Sequence, residues 1–142
     1  MEECGTSCGA DRAVWMYATG GIVKSSPTIG ASGVVFVGSF DMKLHAVDPS
    51  KLLDAECGQS CGASHAEWIY ATGGSVRSRP AIDASGVVYV GSRDNKLHAV
   101  DPSKLLDAEC GQGCGASDAE SSNATGSSVR SSPAIEASGD VY

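Results

Sequence analysis

The chain has 142 residues, a formal net charge of −7, 18 glycines and few aromatic residues. The acidic balance argues against a general binder of nucleic acid or of anionic membranes, because such a protein needs a basic face. There is no run of 18 apolar residues, so no transmembrane helix is predicted, and the N-terminal MEECGTSCGA lacks the apolar core of a signal peptide. Many glycines and few aromatics are typical of short strands joined by tight turns.

A unit of 53 residues is repeated along the chain. The stretch KLHAVDPSKLLDAECGQ at 43–59 recurs unchanged at 96–112. The other features that return at the same offset are Trp15 and Trp68; Pro27, Pro80 and Pro133; and three Cys-x-x-x-Cys pairs, namely Cys4 and Cys8, Cys57 and Cys61, and Cys110 and Cys114. A single register holds throughout, which indicates duplication of one unit.

The repeat predicts one array over the whole chain rather than separate domains. Its parts are a partial copy at 1–14, units at about 15–67 and 68–120, and a degraded partial copy at 121–142. In the degraded copy, Ser121 stands at the tryptophan position and Asn123 at the tyrosine position. We therefore expect the unit that ends at Ser121 to be the least tightly packed.

The second copy shows the predicted strands of one unit in chain order. An extended run at 76–82 contains Pro80. Proline has no backbone N–H to donate to a neighbouring strand, so it suits the edge of a sheet. After a turn, the apolar run at 87–90 is typical of a strand covered on both faces. After a second turn, Lys96–Val100 alternates as a third strand, and the fourth is predicted at the position of Trp68–Ala71 in the preceding copy.

A short helix is predicted between the third and fourth strands. Asp101 is a good N-cap, Pro102 is favoured at the first helical position, and Gly111 stands where a helix would stop. Leu105 and Leu106 are predicted to pack this helix onto the body. Four antiparallel strands cannot bury both faces alone, so the units are expected to stack like blades around an axis.

The string VxSxPAI…GVVYVGSxDxKLHAVDP…W resembles the PQQ-like, quinoprotein-type β-propeller repeat. The match covers 15–49 and 68–102 well and 129–142 in part. The resemblance implies an all-β fold of tandem four-stranded blades. The short helical, Cys-containing insertion predicted in each blade is a departure from the family pattern. Propellers usually close with four to eight blades, so these blades form an incomplete ring.

The resemblance extends to the family's tryptophan-docking motif, which places Ala, Asp and Trp near the outer edge of a blade. Ala46, Asp48 and Trp68 are similar to it, although twenty residues separate Asp48 from Trp68 and the Cys-containing loop fills the difference. Asp101 has no tryptophan partner. The resemblance implies that Trp15 and Trp68 pack between adjacent blades.

Three interpretations of the paired cysteines are open. Local disulfides would each contribute on the order of 2 kcal/mol by closing a loop of about five residues. A structural metal site is disfavoured, because the nearby His65 is replaced by Arg12 and Asp118 in the other copies. Reduced thiols are the third interpretation. Disulfides are favoured, and they would place the chain in an extracellular, periplasmic or luminal compartment.

Basic residues cluster in the predicted innermost strands, although the chain as a whole is acidic. They are Lys24, Arg77, Arg79 and Arg130. They are predicted to line a central channel, either as solvated residues or as a contact for an anion or an acidic peptide. His45 and His98 share one repeat position and are expected to be outward or half-buried, and the sequence at 123–125 is a glycosylation sequon.

No catalytic, cofactor-binding or metal-binding residues are predicted. A quinoprotein dehydrogenase would need a calcium site of Glu, Asn and Asp, a catalytic Asp and an adjacent Cys-Cys pair, and no such pair occurs. The aspartates at 41, 48 and 94 are interpreted as turn or cap residues. We therefore expect a non-catalytic structural or protein-interaction module without a cofactor.

Two alternatives to this function remain. The chain could belong to a larger PQQ-dependent dehydrogenase whose catalytic blades lie elsewhere, or it could be a sensor or accessory propeller appended to another enzyme or receptor. The expected partners are further blades, a second copy through the open blade faces, or another protein, but not nucleic acid.

Overall fold

The computed structural model describes residues 13–55, 57, 60–115 and 118–142. They form two four-stranded antiparallel sheets in which neighbours in the chain are neighbours in the sheet. The first sheet contains β1 (Thr28–Ile29), β2 (Val35–Gly38), β3 (Lys43–Val47) and β4 (Trp68–Ala71), with α1 (Pro49–Ala55) after β3. The second contains β5 (Ala81–Ile82), β6 (Val88–Ser92), β7 (Lys96–Val100) and β8 (Ser121–Ala124), with α2 (Pro102–Ala108) after β7. We call each sheet with its helix a blade. The predicted tandem four-stranded sheets with helical insertions are therefore present.

The blades are offset by one strand from the copies of the sequence. β4 comes from the start of the second copy, and β8 comes from the start of the degraded copy. Hydrogen-bonded blades consequently run from 28 to 71 and from 81 to 124, whereas the sequence copies were divided at about 15–67 and 68–120. Each blade is completed by a strand of the next copy, which ties consecutive copies together.

The main core lies between the two blades. Trp68 and Tyr70 of β4 are buried there with Phe36, together with side chains of β6, β7 and α2 from the second blade. The β6 residues Val88 and Val90 are fully buried, as expected of a strand covered on both faces. The stacking of one blade on the other supplies the cover that a single sheet lacks.

A return segment leaves each outer strand and crosses back over its own blade. Val76 N donates to Ser39 O at 3.0 Å, which holds this segment against the end of β2. A Cβ atom at Gly38 would overlap the Val76 side chain, and the same close approach joins Gly91 to Val129. The repeated glycine of the VGS sequence is therefore required by backbone proximity.

The N-terminal helix signals are confirmed in α2. The Asp101 carboxylate accepts a hydrogen bond from Ser103 N at 3.0 Å, and Pro102 is the first helical residue. The helix ends at Ala108, before the predicted stop at Gly111, because Glu109 adopts a left-handed conformation with φ 54°. None of the described helices combines the length and the apolar character needed to cross a membrane.

The prediction that both leucines of α2 pack inward was wrong. Leu105 is 1% exposed, but Leu106 is 52% exposed. Adjacent residues of a helix do not share a face, so only one of the two can reach the body of the blade. Leu52 and Leu53 of α1 repeat this arrangement.

Candidate functional site

Both cysteine pairs within the described residues form disulfides. Cys57 is bonded to Cys61 and Cys110 to Cys114, with Cα–Cα distances of 5.0 and 4.9 Å. The favoured interpretation is confirmed for these pairs, and the metal and reduced-thiol interpretations are wrong for them. The pair formed by Cys4 and Cys8 lies outside the described residues.

Each disulfide loop pairs with a segment earlier in the chain, and for Cys114 that segment is the outer strand of the first blade. Cys114 forms a parallel bridge with Tyr70 on β4, and Ala71 N donates to Cys114 O at 2.8 Å. Cys61 makes the same bridge with Tyr17. The insertion therefore covers a sheet edge that would otherwise be open to pairing with another chain.

A buried hydrogen-bonded network crosses the junction between the blades. His98 is 1% exposed, with Nδ1 2.7 Å from the Tyr70 hydroxyl and Nε2 2.8 Å from the Asp94 carboxylate. A carboxylate only accepts, so neutral His98 carries its proton on Nε2 and accepts from Tyr70 at Nδ1. Asp94 also accepts from Gly73 N at 2.9 Å. The network joins β4 of one blade to β7 of the next.

The same network recurs at a second junction, between the segment around Tyr17 and the first blade. Tyr17, His45 and Asp41 are joined by contacts of 2.8 Å on each side of the imidazole. The prediction that the two histidines are outward or half-buried was wrong, because both are 1% exposed and each ring meets a tyrosine ring edge-on. Asp41 and Asp94 do lie in turns, as predicted, but their carboxylates also bind the Nε2 atoms of these histidines.

The network has a hydroxyl, an imidazole and a carboxylate, as nucleophilic sites do, but its properties favour a structural role. Burial, with a smaller contribution from the charge of Asp94, raises the pKa of Tyr70 to about 12. Activation of a nucleophile requires the opposite shift. Tyr70 is also fully buried, so no substrate reaches its hydroxyl.

The free energy of unfolding is expected to fall when the pH is lowered from 7.5 to 5.5. Burial lowers the pKa of His45 below 6.5, against the opposing effect of Asp41. The unfolded chain therefore takes up a proton that the folded chain resists, and acid favours unfolding. Urea midpoints measured across this range should fall with pH. His45→Gln should flatten the dependence, and a midpoint that rises on acidification would contradict the assignment.

The predicted docking residues occupy two different environments. Trp68 is 2% exposed in the main core, with its ring centroid 5.7 Å from that of Phe36. Trp15 is half-buried against a small cluster that includes Leu52. Asp48 and Asp101 cap the starts of the two helices by accepting from the backbone N–H two residues ahead.

The innermost segments of successive copies run side by side. Ser25 Oγ donates to Ser78 O at 2.9 Å, and Arg79 N donates to Ser132 Oγ at 2.8 Å. Regular strand is limited to β1 and β5 of two residues each, since Pro27 and Pro80 precede them and carry no N–H donor. These contacts bring corresponding positions of the three copies together.

The innermost segments carry four basic residues, which we call the axial surface together with the aromatic residue beside two of them. Its members are Lys24, Arg77, Arg79, Arg130 and the aromatic residue Phe40. Lys24 Nζ lies 5.6 Å and Arg77 Cζ 5.3 Å from the centroid of the Phe40 ring. Among the described residues, no carboxylate lies within ion-pair distance of the four cations, whereas Lys51 is paired with Glu67 at 2.5 Å.

An apolar groove opens at the junction on the side of α2. It has a volume of about 440 Å³, with Phe36, Trp68 and Ile82 on its walls and Glu67 and Asp101 among its polar lining residues. The groove was not predicted, because it forms between two blades and has no counterpart in the pattern of either one.

The comparisons with known proteins identify the fold. The sequence matches no protein-family model and no curated protein. The structure is similar to BamB from Moraxella catarrhalis, with a TM-score of 0.58 and 18% identity, covering 90% of this chain and 32% of BamB. It is also similar to a protein of unknown function from Bacteroides caccae, with a TM-score of 0.46 and 15% identity over 87% of this chain and 39% of that one.

The likeness to BamB confirms that the two sheets are tandem blades of a β-propeller. The chain spans about a third of the length of BamB. Two blades do not close a ring, as the sequence predicted.

Proposed function

We propose that this chain is a non-catalytic β-propeller module of PQQ-like repeats that binds an acidic segment of a protein partner on the axial surface. The observation that carries the proposal is the placement of Lys24, Arg77 and Arg130 at one repeat position. They are cations without a carboxylate neighbour in the described part of an otherwise acidic chain.

The polar residues that could act in catalysis are bonded to one another, whereas the cations of the axial surface have no carboxylate partner among the described residues, and this supports binding rather than catalysis. The tyrosines, histidines and aspartates of the two networks are hydrogen-bonded to one another. The described residues contain no cluster of three His, Cys, Asp or Glu side chains with the geometry of a metal site. A calcium site of the quinoprotein kind needs carboxylate and amide oxygens, which the cations of the axial surface do not supply.

The chemistry of the axial surface favours carboxylates. Arg77, Arg79 and Arg130 each present a guanidinium whose donors match a carboxylate in pairs. Phe40 adds an apolar face beside Lys24 and Arg77. A local positive patch on a negatively charged chain also restricts the orientation in which an acidic partner approaches.

The binding of a fluorescent hexaglutamate peptide to the full chain, followed by anisotropy, tests the proposal. Replacing Lys24, Arg77 and Arg130 together by alanine is expected to weaken binding by at least about tenfold, which corresponds to 1.4 kcal/mol. Higher salt should weaken binding to the native chain, because exposed charges are screened.

The matched control removes three positive charges elsewhere, at Lys51, Lys96 and Lys104. It is expected to change the affinity by less than about twofold. Equal losses in the two variants would show that only net charge matters and would overturn the assigned surface. Saturable binding of PQQ with calcium would overturn the non-catalytic part and favour the dehydrogenase alternative.

We also propose that the chain resides in an extracellular or periplasmic compartment. The two disulfides support this placement, because such bonds persist where thiols are not kept reduced.

A further inference from the structure

We propose that the apolar groove between the two blades binds a segment of a partner protein that carries an apolar side chain next to a lysine or an arginine. The groove has a volume of about 440 Å³, and ligand sites typically have volumes of roughly 300–1,000 Å³. No residue that lines it belongs to the axial surface. The groove is therefore a second binding site, and its occupation does not depend on the function proposed above.

The groove lies between two blades that each have all four strands within the described residues. One wall consists of the turn from β1 to β2 and the start of β4, and the opposite wall consists of the turn from β5 to β6 and α2. The groove is therefore an internal feature of the array rather than part of a face at either end of it.

Two residue differences between the copies shape the first wall. Where the second copy has Asp83 and Tyr89, the first copy has Gly30 and Phe36. The Tyr89 hydroxyl donates to the Asp83 carboxylate at 2.9 Å, and the first copy has neither group. Gly30 and Phe36 both line the groove, and a Cβ atom at Gly30 would lie 3.2 Å from the Phe36 ring. A side chain at position 30 would therefore reduce the groove.

The same difference leaves two backbone donors without a partner in the described part of the chain. The Asp83 carboxylate accepts from the backbone N–H groups two and four residues ahead, at 2.9 and 3.0 Å. Gly30 offers no such acceptor to the N–H groups of Ser32 and Val34, two residues that line the groove. Backbone donors of this kind are satisfied by the carbonyl oxygens of a bound peptide.

Leu106 provides exposed apolar surface in the groove. It is 52% exposed although the first blade forms the other side of the groove. Leu53 holds the same position in α1, where a following blade is present, and is 53% exposed. Neither a preceding nor a following blade therefore covers this position of the helix. An apolar side chain packed against Leu106, beside Phe36 and Trp68, would withdraw apolar surface from water and so favour binding.

The charge of the groove is negative. Glu67 and Asp101 line it, and none of the described lysines or arginines does. Lys51 Nζ binds only Oε2 of Glu67, and Ser103 binds only Oδ1 of Asp101. Within the described residues the second oxygen of each carboxylate has no hydrogen-bond partner, so it can accept from an ammonium or a guanidinium group. An acidic ligand would be repelled, which favours a neutral peptide carbonyl at the two backbone donors and a basic side chain beside it.

The test is a titration of the full chain with the peptide acetyl-Gly-Leu-Arg-Gly-amide, followed by the indole N–H signals in ¹H–¹⁵N spectra. The chain has two tryptophans, of which Trp68 lines the groove and Trp15 does not. The Trp68 signal should shift saturably while the Trp15 signal stays in place. Leu106→Ala and Glu67→Gln should each weaken binding by at least about fivefold, and a peptide with glutamate in place of arginine by at least about tenfold.

The repeat supplies a matched control for each variant. Leu53→Ala and Glu120→Gln change the corresponding residues of the other copy, which do not line the groove, and should alter the affinity by less than about twofold. Gly30→Asp introduces the carboxylate that the second copy already carries at this position, so it should fold normally and abolish binding.

Three results would overturn the proposal. The first is a Trp68 signal that does not shift with the peptide, and the second is an equal loss of affinity in the groove variants and in their controls. The third is association of the native chain in sedimentation that Leu106→Ala removes and Leu53→Ala retains, because it would show that a second copy, rather than a partner segment, occupies the groove.

Discussion

Trp68→Ala is expected to lower the free energy of unfolding by about 3–5 kcal/mol. The side chain is 2% exposed and stands between the two blades, against Phe36 of its own sheet. Without the indole ring, apolar side chains of both blades lose packing contacts. The effect should lie toward the lower end of this range, because Trp68 also lines the groove of about 440 Å³, through which water can reach part of the vacated space.

Urea unfolding followed by circular dichroism measures this loss. Trp15→Ala is the matched control at the same repeat position. It should cost clearly less, since Trp15 is half-buried and packs on the smaller cluster that includes Leu52. Trp68→Phe should recover part of the loss by refilling the site with a ring. A larger loss at Trp15 than at Trp68 would show that the main core has been misassigned.

His98→Leu is expected to lower the free energy of unfolding by about 3 kcal/mol. The substitution removes the common partner of the Tyr70 hydroxyl and the Asp94 carboxylate. The buried hydroxyl is left unpaired, which costs about 1–3 kcal/mol, and the carboxylate loses its bond to the imidazole while keeping that from Gly73 N. Leucine fills much of the imidazole volume, so the loss reports hydrogen bonding more than packing.

A double-mutant cycle separates the two contributions. Tyr70→Phe combined with His98→Leu should cost less than the sum of the single variants by about 1 kcal/mol, because the second change removes a group that the first has already orphaned. Tyr17→Phe with His45→Leu should couple in the same way at the other junction, where the corresponding contact is 2.8 Å. Additive losses at both junctions would show that the network does not act as a unit.

The architecture of the blades could be predicted because the sequence that encodes one blade is repeated. The predicted strand Lys96–Val100 has the observed bounds, and the predicted N-cap of α2 is occupied by Asp101. Both follow from local rules that depend only on neighbouring residues. The disulfides were also the favoured interpretation, since each pair is close in the chain.

The hydrogen-bonded network between blades was not predicted, because its members are far apart in the chain. Tyr70 and His98 are 28 residues apart, and no local periodicity connects them. One sign was available: tyrosine, histidine and aspartate recur together at the repeat offset in two copies. The early end of α2 depends on the left-handed conformation of Glu109, which its residue type does not favour.

The pairing of the Cys110–Cys114 loop with β4 also determines when the outer strand of the first blade is covered during synthesis. Tyr70 leaves the ribosome roughly 44 residues before Cys114, which corresponds to about 2–9 s at typical elongation rates. Through that interval the last strand of the first blade has no cover, while its own sheet can already form. The blades are therefore completed in chain order, and each is covered only when the following loop has been made. Slow elongation between Tyr70 and Cys114 would lengthen the period in which the uncovered strands of nascent chains can pair with one another.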